Sequence, residues 1–272
     1  MSTPGFELDA YLARLGYAGP RTPTLETLHA IALHHATSIP FENLDVLLGR
    51  PIRLTPEALM AKLVHGRRGG YCFEQNNLLL LALRALGYRA MLLGARVRGP
   101  IPREQIPYRT HTFVKVSLPE GEYLADAGLG TSSLTCAIPL VFDRDLPTPH
   151  EPRRLVRENG RFFHQVPAEG GWMDVCEFSL EEFHFVDCEV GNWWTSAHEQ
   201  SHFKHNLIVG RARPDGTRVA IREGKFLRRR GVEILTTEPL SSADQLLRLL
   251  RDEFGLDFPA GTRFGPPGAS WA

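Results

Sequence analysis

A cysteine, a histidine and an aspartate, met in that order along the chain, have the functional groups that nucleophilic catalysis by a thiol requires. Cys72 follows Arg68-Gly69-Gly70-Tyr71 and precedes Phe73-Glu74-Gln75-Asn76. The glycine pair frees the backbone for a sharp turn or a close approach to a ligand. The apolar run beyond it places the cysteine in the first turn of a helix, where unpaired N–H groups and the helix dipole favour a thiolate. Read alone, a cysteine among Leu and Phe is a small buried hydrophobe. The glycines and the helix start move the reading toward a nucleophile, with the backbone N–H of Phe73 as candidate oxyanion donor.

A thiolate nucleophile needs a base that takes and returns its proton, and the base needs a third group to hold its tautomer. The chain has 11 histidines, so one downstream histidine carries little weight alone. His111 stands out because it opens the strand-like run Thr112-Phe113-Val114-Lys115-Val116, and Asp126 closes the returning run. Taken singly, His111 reads as a satisfied strand histidine and Asp126 as a turn residue before Gly128. Taken together they make a demand on geometry. In a hairpin only same-face neighbours touch, so both side chains must lie on one face, with Asp126 opposite roughly 113–115.

The elements that position these residues follow from local patterns. Leu8, Tyr11, Leu12 and Leu15 recur at helical spacing and stop at Gly16. Thr22-Pro23 predicts an N-cap with proline at N1, opening a helix through Leu25, Leu28 and Ala32. Thr55-Pro56 repeats the device before Leu59 and Leu63, and a fourth helix is expected from about Cys72 to Leu86, ending at Gly87. Beyond it, Met91-Leu92-Leu93, 113–116 and Tyr123-Leu124-Ala125 read as strands, the last two joined by a turn at Pro119-Glu120-Gly121. Pro139, Pro147, Pro149 and Pro152 predict a long surface connection. Strand-like runs resume at 161–166 and 206–209. A last helix is expected from Ser241, with Asp244 at N3, to Gly255.

Composition limits the alternatives. With 272 residues the chain can bury a full-sized core. Lys plus Arg equal Asp plus Glu at 31 each, which gives no electrostatic case for nucleic acid or an anionic membrane as partner. The longest apolar run, 78–83, is far too short to span a bilayer. The chain opens Met-Ser-Thr-Pro-Gly-Phe-Glu, with neither a basic nor an apolar leader. Cys72, Cys136, Cys176 and Cys188 form no CxxC pair, so a cytoplasmic enzyme with mostly inert thiols is expected. His198, His202 and His205 share helix-like spacing, but no cysteine or carboxylate set joins them, and no metal site is expected.

The segment 68–76 resembles the active-site signature of the arylamine N-acetyltransferases. The resemblance continues at Ile39-Pro40-Phe41-Glu42-Asn43-Leu44-Asp45-Val46, at Thr110-His111-Thr112 and at Leu124-Ala125-Asp126-Ala127-Gly128-Leu129-Gly130. It returns at Asn192-Trp193-Trp194-Thr195-Ser196 and Ser201-His202-Phe203. It implies an α+β fold with a papain-like cysteine-transferase core. Its three domains would be a helical bundle over 1–87 carrying the nucleophile, an antiparallel β-barrel over 88–190 carrying histidine and aspartate, and an α/β lid over 191–272.

The resemblance also implies a Cys72, His111 and Asp126 triad. In the family's ping-pong reaction acetyl-CoA is a co-substrate, acetylates the cysteine and leaves as CoA. An arylamine, arylhydrazine or N-arylhydroxylamine then takes the acetyl group, a role in xenobiotic metabolism. No permanently bound cofactor is implied, and no metal; the protein is expected as a monomer or homodimer. By similarity Phe41, Leu129 and Phe203 line the acceptor pocket, each with core packing as the plainer reading. Family members usually carry phenylalanine where Leu129 stands, which bears on acceptor preference. Glu42 and Arg68 would pair structurally and fix the loop before Cys72. Gly128, Gly130, Thr131, Ser132 and Ser133 could offer donors to CoA phosphates, or form an ordinary turn. Arg228, Arg229 and Arg230 could assist with phosphates or form a solvated face.

Three alternatives stay open. An amide synthase of the same family would close an aromatic amine onto a polyketide. A papain- or transglutaminase-like thiol hydrolase would act without CoA. A binding module on the same fold would have no need of the triad.

Overall fold

The structure, a computed structural model, describes residues 3–265. The ends of the expected first and last domains, 1–2 and 266–272, lie outside the described residues. Helix α1 (Leu8–Leu15) ends at Gly16 in the left-handed conformation, as its spacing predicts. Helix α2 (Leu25–Ser38) is capped by Thr24, whose side chain accepts from the Thr27 N–H. The cap is therefore two residues later than Thr22, and Pro23 lies before the helix instead of at N1. Thr24 offers the same hydroxyl in extended backbone, so the local pattern could not separate the two threonines. A short strand β1 (Phe41–Glu42) and helix α3 (Leu44–Leu47) follow. Thr55 caps α4 (Pro56–Leu59), which continues as a π-helical turn through Met60–His65.

Helix α5 (Cys72–Ala85) is buried on nearly all sides, which accounts for its unbroken apolar run. It packs on β2 (Arg89–Val97) and β3 (His111–Leu118). Strand β3 turns tightly into β4 (Gly121–Ala125). A 3-10 turn (Gly130–Ser132) then leads to β5 (Ile138–Pro139), β6 (Arg144–Leu146), β7 (Arg153–Glu158), β8 (Arg161–Ala168) and β9 (Gly171–Glu182). These strands form one antiparallel sheet, in the order β5-β4-β3-β2-β9-β8-β7-β6, which closes almost into a barrel. The proline-rich stretch is thus not a plain surface connection. It supplies both edge strands of the barrel sheet, positions where proline is tolerated because one side of the backbone has no strand to bond.

Helix α6 (Phe185–Ala197) spans the boundary expected at 190/191, and α7 (His202–His205) is a single turn. Strands β10 (Val209–Ala212), β11 (Arg218–Arg222), β12 (Lys225–Arg230) and β13 (Glu233–Pro239) extend β1 into a five-stranded antiparallel sheet. The strand expected over 206–209 begins only at Val209, because Phe41 and Glu42 pair with Gly210 and Val209. Helix α8 (Ala243–Phe254) is capped by Ser242, one residue after the expected Ser241, and ends at left-handed Gly255. Ser241 instead bonds the Gln245 side chain. The apolar stripe of α8, Leu246, Leu250 and Phe254, packs with Val209, Val219, Ile221 and Phe226, and Leu44 from the first third joins that core. No helix among the described residues is long and apolar enough to cross a membrane.

Candidate active site

The hairpin register settles the demand made by the sequence. Val114 pairs with Ala125, so Asp126 continues opposite Phe113 on the face that His111, two residues earlier, also occupies. His111 Nε2 and Asp126 Oδ2 lie 2.8 Å apart. Both side chains and Cys72 are at most 4% exposed. Cys72 stands in the first turn of α5, and its Sγ donates to the Thr110 carbonyl at 3.4 Å. The Phe73 N–H donates to no group among the described residues, as expected of a first-turn amide.

Close packing brings the hairpin end onto the nucleophile turn. A Cβ built on Gly128 would fall 2.5 Å from Cys72 Cα, so only glycine allows that approach. Asn76, one turn beyond Cys72, ties the two together. Its Nδ2 donates to Asp126 Oδ1 (2.9 Å) and to the Thr112 carbonyl (2.5 Å), while its Oδ1 accepts from the Ala127 N–H (2.9 Å). The Gly128 N–H adds a further bond to Asp126 Oδ1. Burial would raise the Asp126 carboxyl, but His111, Asn76 and Gly128 together hold it below its ordinary range. Burial would likewise lower the His111 imidazole. Asp126, by charge and hydrogen bond, and Cys72 after it reverse that, to about 10. Asn76 received no role from the sequence; the available signals were its place in the 68–76 signature and its spacing of four from Cys72, which puts both on one helix face.

The other side of the turn is held by charge. Arg68 donates to Glu42 Oε1 from Nη2 (2.6 Å) and Nε (3.0 Å), and also reaches Asp45 (3.1 Å). Lys62 bridges Asp45 (2.9 Å) and Glu74 (2.7 Å), and Glu74 accepts the Tyr71 N–H at the start of α5. The Glu42 and Arg68 contact was implied by the family resemblance, whereas Lys62, Asp45 and Glu74 had been given no role. A neutral relay runs from Tyr11 through His35 to Gln75, whose amide donates to the Pro40 and Gly70 carbonyls. Gly69 is required here as well, since a Cβ on it would fall 2.1 Å from the Pro40 carbonyl oxygen.

Phe41 and Phe203 meet edge-on at 6.0 Å, and Tyr71 packs edge-on against Phe203 at 5.5 Å. Leu129 is partly exposed and follows Gly128; Gly130 (φ 57°) sits beside the Phe41 ring. The carbonyls of Thr131, Ser132 and Ser133 are occupied by Arg229, Arg153 and Arg218. Arg228 and Arg229 do not form a solvated face, because Arg228 grips Glu253 through both carboxylate oxygens and Arg229 turns inward. His198 stacks on Trp194, His202 meets Asn206, and His205 meets the Glu199 carbonyl.

A family model described as N-acetyltransferase matches residues 24–262. An arylamine N-acetyltransferase of Escherichia coli is 37% identical over 92% of this chain and 88% of its own length. One from Mycolicibacterium smegmatis is 39% identical over 92% of each chain. Among solved structures, the Mycobacterium marinum arylamine N-acetyltransferase in complex with CoA superposes with a TM-score of 0.87. It is 35% identical and covers 92% of both chains.

Proposed function

The chain belongs to the arylamine N-acetyltransferase family, and on that premise we propose that Cys72 carries an acetyl group from acetyl-CoA to an aromatic amine. The observation that carries this reading is the buried His111–Asp126 pair, aimed from one hairpin face at the helix turn that holds Cys72. The CoA held by the Mycobacterium marinum neighbour supports the donor.

In this mechanism His111 takes the Cys72 proton on the nitrogen not bound to Asp126. The resulting imidazolium favours a thiolate beside it. The sulfur attacks the thioester carbonyl carbon of acetyl-CoA, and the charge on the carbonyl oxygen falls to the Phe73 N–H. The C–S bond to CoA breaks, CoA leaves with the His111 proton, and acetyl-Cys72 remains. In the second half an arylamine, arylhydrazine or N-arylhydroxylamine attacks the same carbon. His111 removes the proton from the acceptor, and the Cys72 sulfur is the leaving group. Asp126 keeps one tautomer of His111 and stabilises its charged form throughout.

Thioester-to-thioester exchange is nearly balanced, so the kinetic problem is to keep acetyl-Cys72 from water. Burial of the triad and the rings of Phe41 and Phe203 serve that end, with Leu129 as the third wall of the acceptor pocket. Initial-rate kinetics test the reading. Varying acetyl-CoA at several concentrations of 4-methoxyaniline should give parallel double-reciprocal lines that disappear with Cys72→Ala. Intersecting lines, or turnover that survives the substitution, would remove the acyl-enzyme.

A further inference from the structure

The turn after Asp126 is held at two ends by different chemistry. At 127–128 the holders are Asn76 and Asp126, which belong to the triad's own packing. At 131–133 the holders are three guanidiniums that come from elsewhere in the fold. Arg229 donates to the Thr131 carbonyl (2.7 Å), Arg153 to Ser132 (2.8 Å) and Ser133 (3.3 Å), and Arg218 to Ser133 (2.9 Å).

These arginines are costly to place. Arg153 is fully buried, Arg218 nearly so, and Arg218 stands directly opposite Arg229 across β11 and β12. Like charges facing each other across a strand pair are unfavourable. One carboxylate offsets them: Glu151 meets Arg153 at 2.5 Å, Arg218 at 2.8 Å and Arg229 at 3.8 Å. One anion among three cations leaves an excess of positive charge, and the three carbonyls of the turn take it up.

The grip passes into the turn by its own hydrogen bonds. The Ser132 N–H donates to the Leu129 carbonyl (3.0 Å), and the Ser133 hydroxyl to that of Gly130 (3.1 Å). The Leu134 N–H closes the loop on the Asp126 carbonyl (2.7 Å). Leu129 therefore sits between an end fixed to Cys72 and an end fixed to β11 and β12 of the five-stranded sheet and to β7 of the barrel sheet.

We propose that Arg229, backed by Arg218 and Arg153, is a positioning residue that fixes Leu129 as a rigid wall for the acceptor amine. The inference rests on the reading of Cys72 as acyl carrier. Because the Cys72 end of the turn is anchored separately, releasing the arginine end should affect the second half-reaction and spare the first.

Arg229 is the suitable probe, being 27% exposed where Arg153 is fully buried. The first half-reaction is read as the CoA-release burst at saturating acetyl-CoA, the second as KM for 4-methoxyaniline and for phenylhydrazine. Arg229→Met should raise both acceptor KM values about tenfold, the scale of one charged hydrogen bond. The burst rate should stay within about twofold, and Arg229→Lys should restore part of the KM. In a cycle with Leu129→Ala, built on Arg229→Lys if the Met variant is unstable, the KM effects should fail to multiply. An acceptor KM unmoved by loss of Arg229, a burst that falls in step with it, or effects that multiply in the cycle would overturn the proposal. A wild-type protein that gives no CoA burst would instead overturn the acyl-carrier reading beneath it.

Discussion

Two carboxylates, Asp126 and Glu74, are buried on opposite sides of the Cys72 turn, and each is held by a cation and a backbone N–H. Burial raises the pKa of both. For Asp126 the donors win: His111, Asn76 and Gly128 hold it below its ordinary range. For Glu74 burial wins despite Lys62, and the nearby Glu42 charge pushes the same way, so its carboxyl lies above the ordinary range. The partners differ in kind as well. His111 has a second ring nitrogen free to take and return a proton, whereas Lys62, its pKa raised by Glu74, Glu42 and Asp45 against burial, stays charged. The same device therefore serves proton transfer on one side and holds the nucleophile's helix on the other.

Asp126→Asn should make the largest difference. It presents the wrong partner to His111 and should lower kcat/KM by about 10³–10⁴-fold, as comparable triads do. Glu74→Gln should do the reverse. It leaves Lys62 half-paired and the Tyr71 N–H with a weaker acceptor, and should cost about 3–5 kcal/mol in denaturant unfolding while activity falls less than about tenfold. If both variants lost activity and stability alike, the distinction between the two sides would fail. Asn76→Ala sharpens it further. Removing one amide leaves Asp126 Oδ1 with the Gly128 N–H alone and takes a partner from the Thr112 carbonyl and the Ala127 N–H, and activity should fall by roughly 10–100-fold.

The smallest effect, taken per pH unit, lies in the pH dependence of stability. His111 is raised from 6.5 to about 10, so between these values the folded protein holds a proton that the unfolded chain has released. The stabilisation is complete below 6.5 and is lost as pH rises through about 10. Unfolding free energy of the wild type should therefore decline with pH against Asp126→Asn by at most roughly 1.4 kcal/mol per unit. Glu74→Gln leaves the His111–Asp126 pair in place and should keep that pair's contribution to the slope. Equal slopes in wild type and Asp126→Asn would show that the pair does not hold the extra proton.

What the sequence made legible was local or paired by a tight turn. The Thr55-Pro56 start, the Gly16 and Gly255 stops and the shared face of His111 and Asp126 all depend on neighbours within a few residues or one hairpin. The misplaced caps at Thr22 and Ser241 have the same origin, since adjacent hydroxyl residues offer the same acceptor. The strand at Phe41–Glu42 was not readable, because its partner is at Val209 and Gly210 and nothing nearby announces it. Lys62 with Glu74, and Glu151 with its three arginines, are likewise assembled by packing of distant segments. Charged residues of that kind look the same in sequence as those on a solvated surface. The resemblance to a known family supplied the acyl donor, which residue spacing could not.

The central claim is that Cys72 is the acyl carrier. Intact-protein and peptide mass spectrometry after mixing with acetyl-CoA, without amine, test it directly. The expected result is one acetyl group on Cys72, lost on adding 4-methoxyaniline and absent from Cys72→Ala. An unmodified Cys72, or an acetyl group that appears elsewhere and persists with the amine, would contradict it.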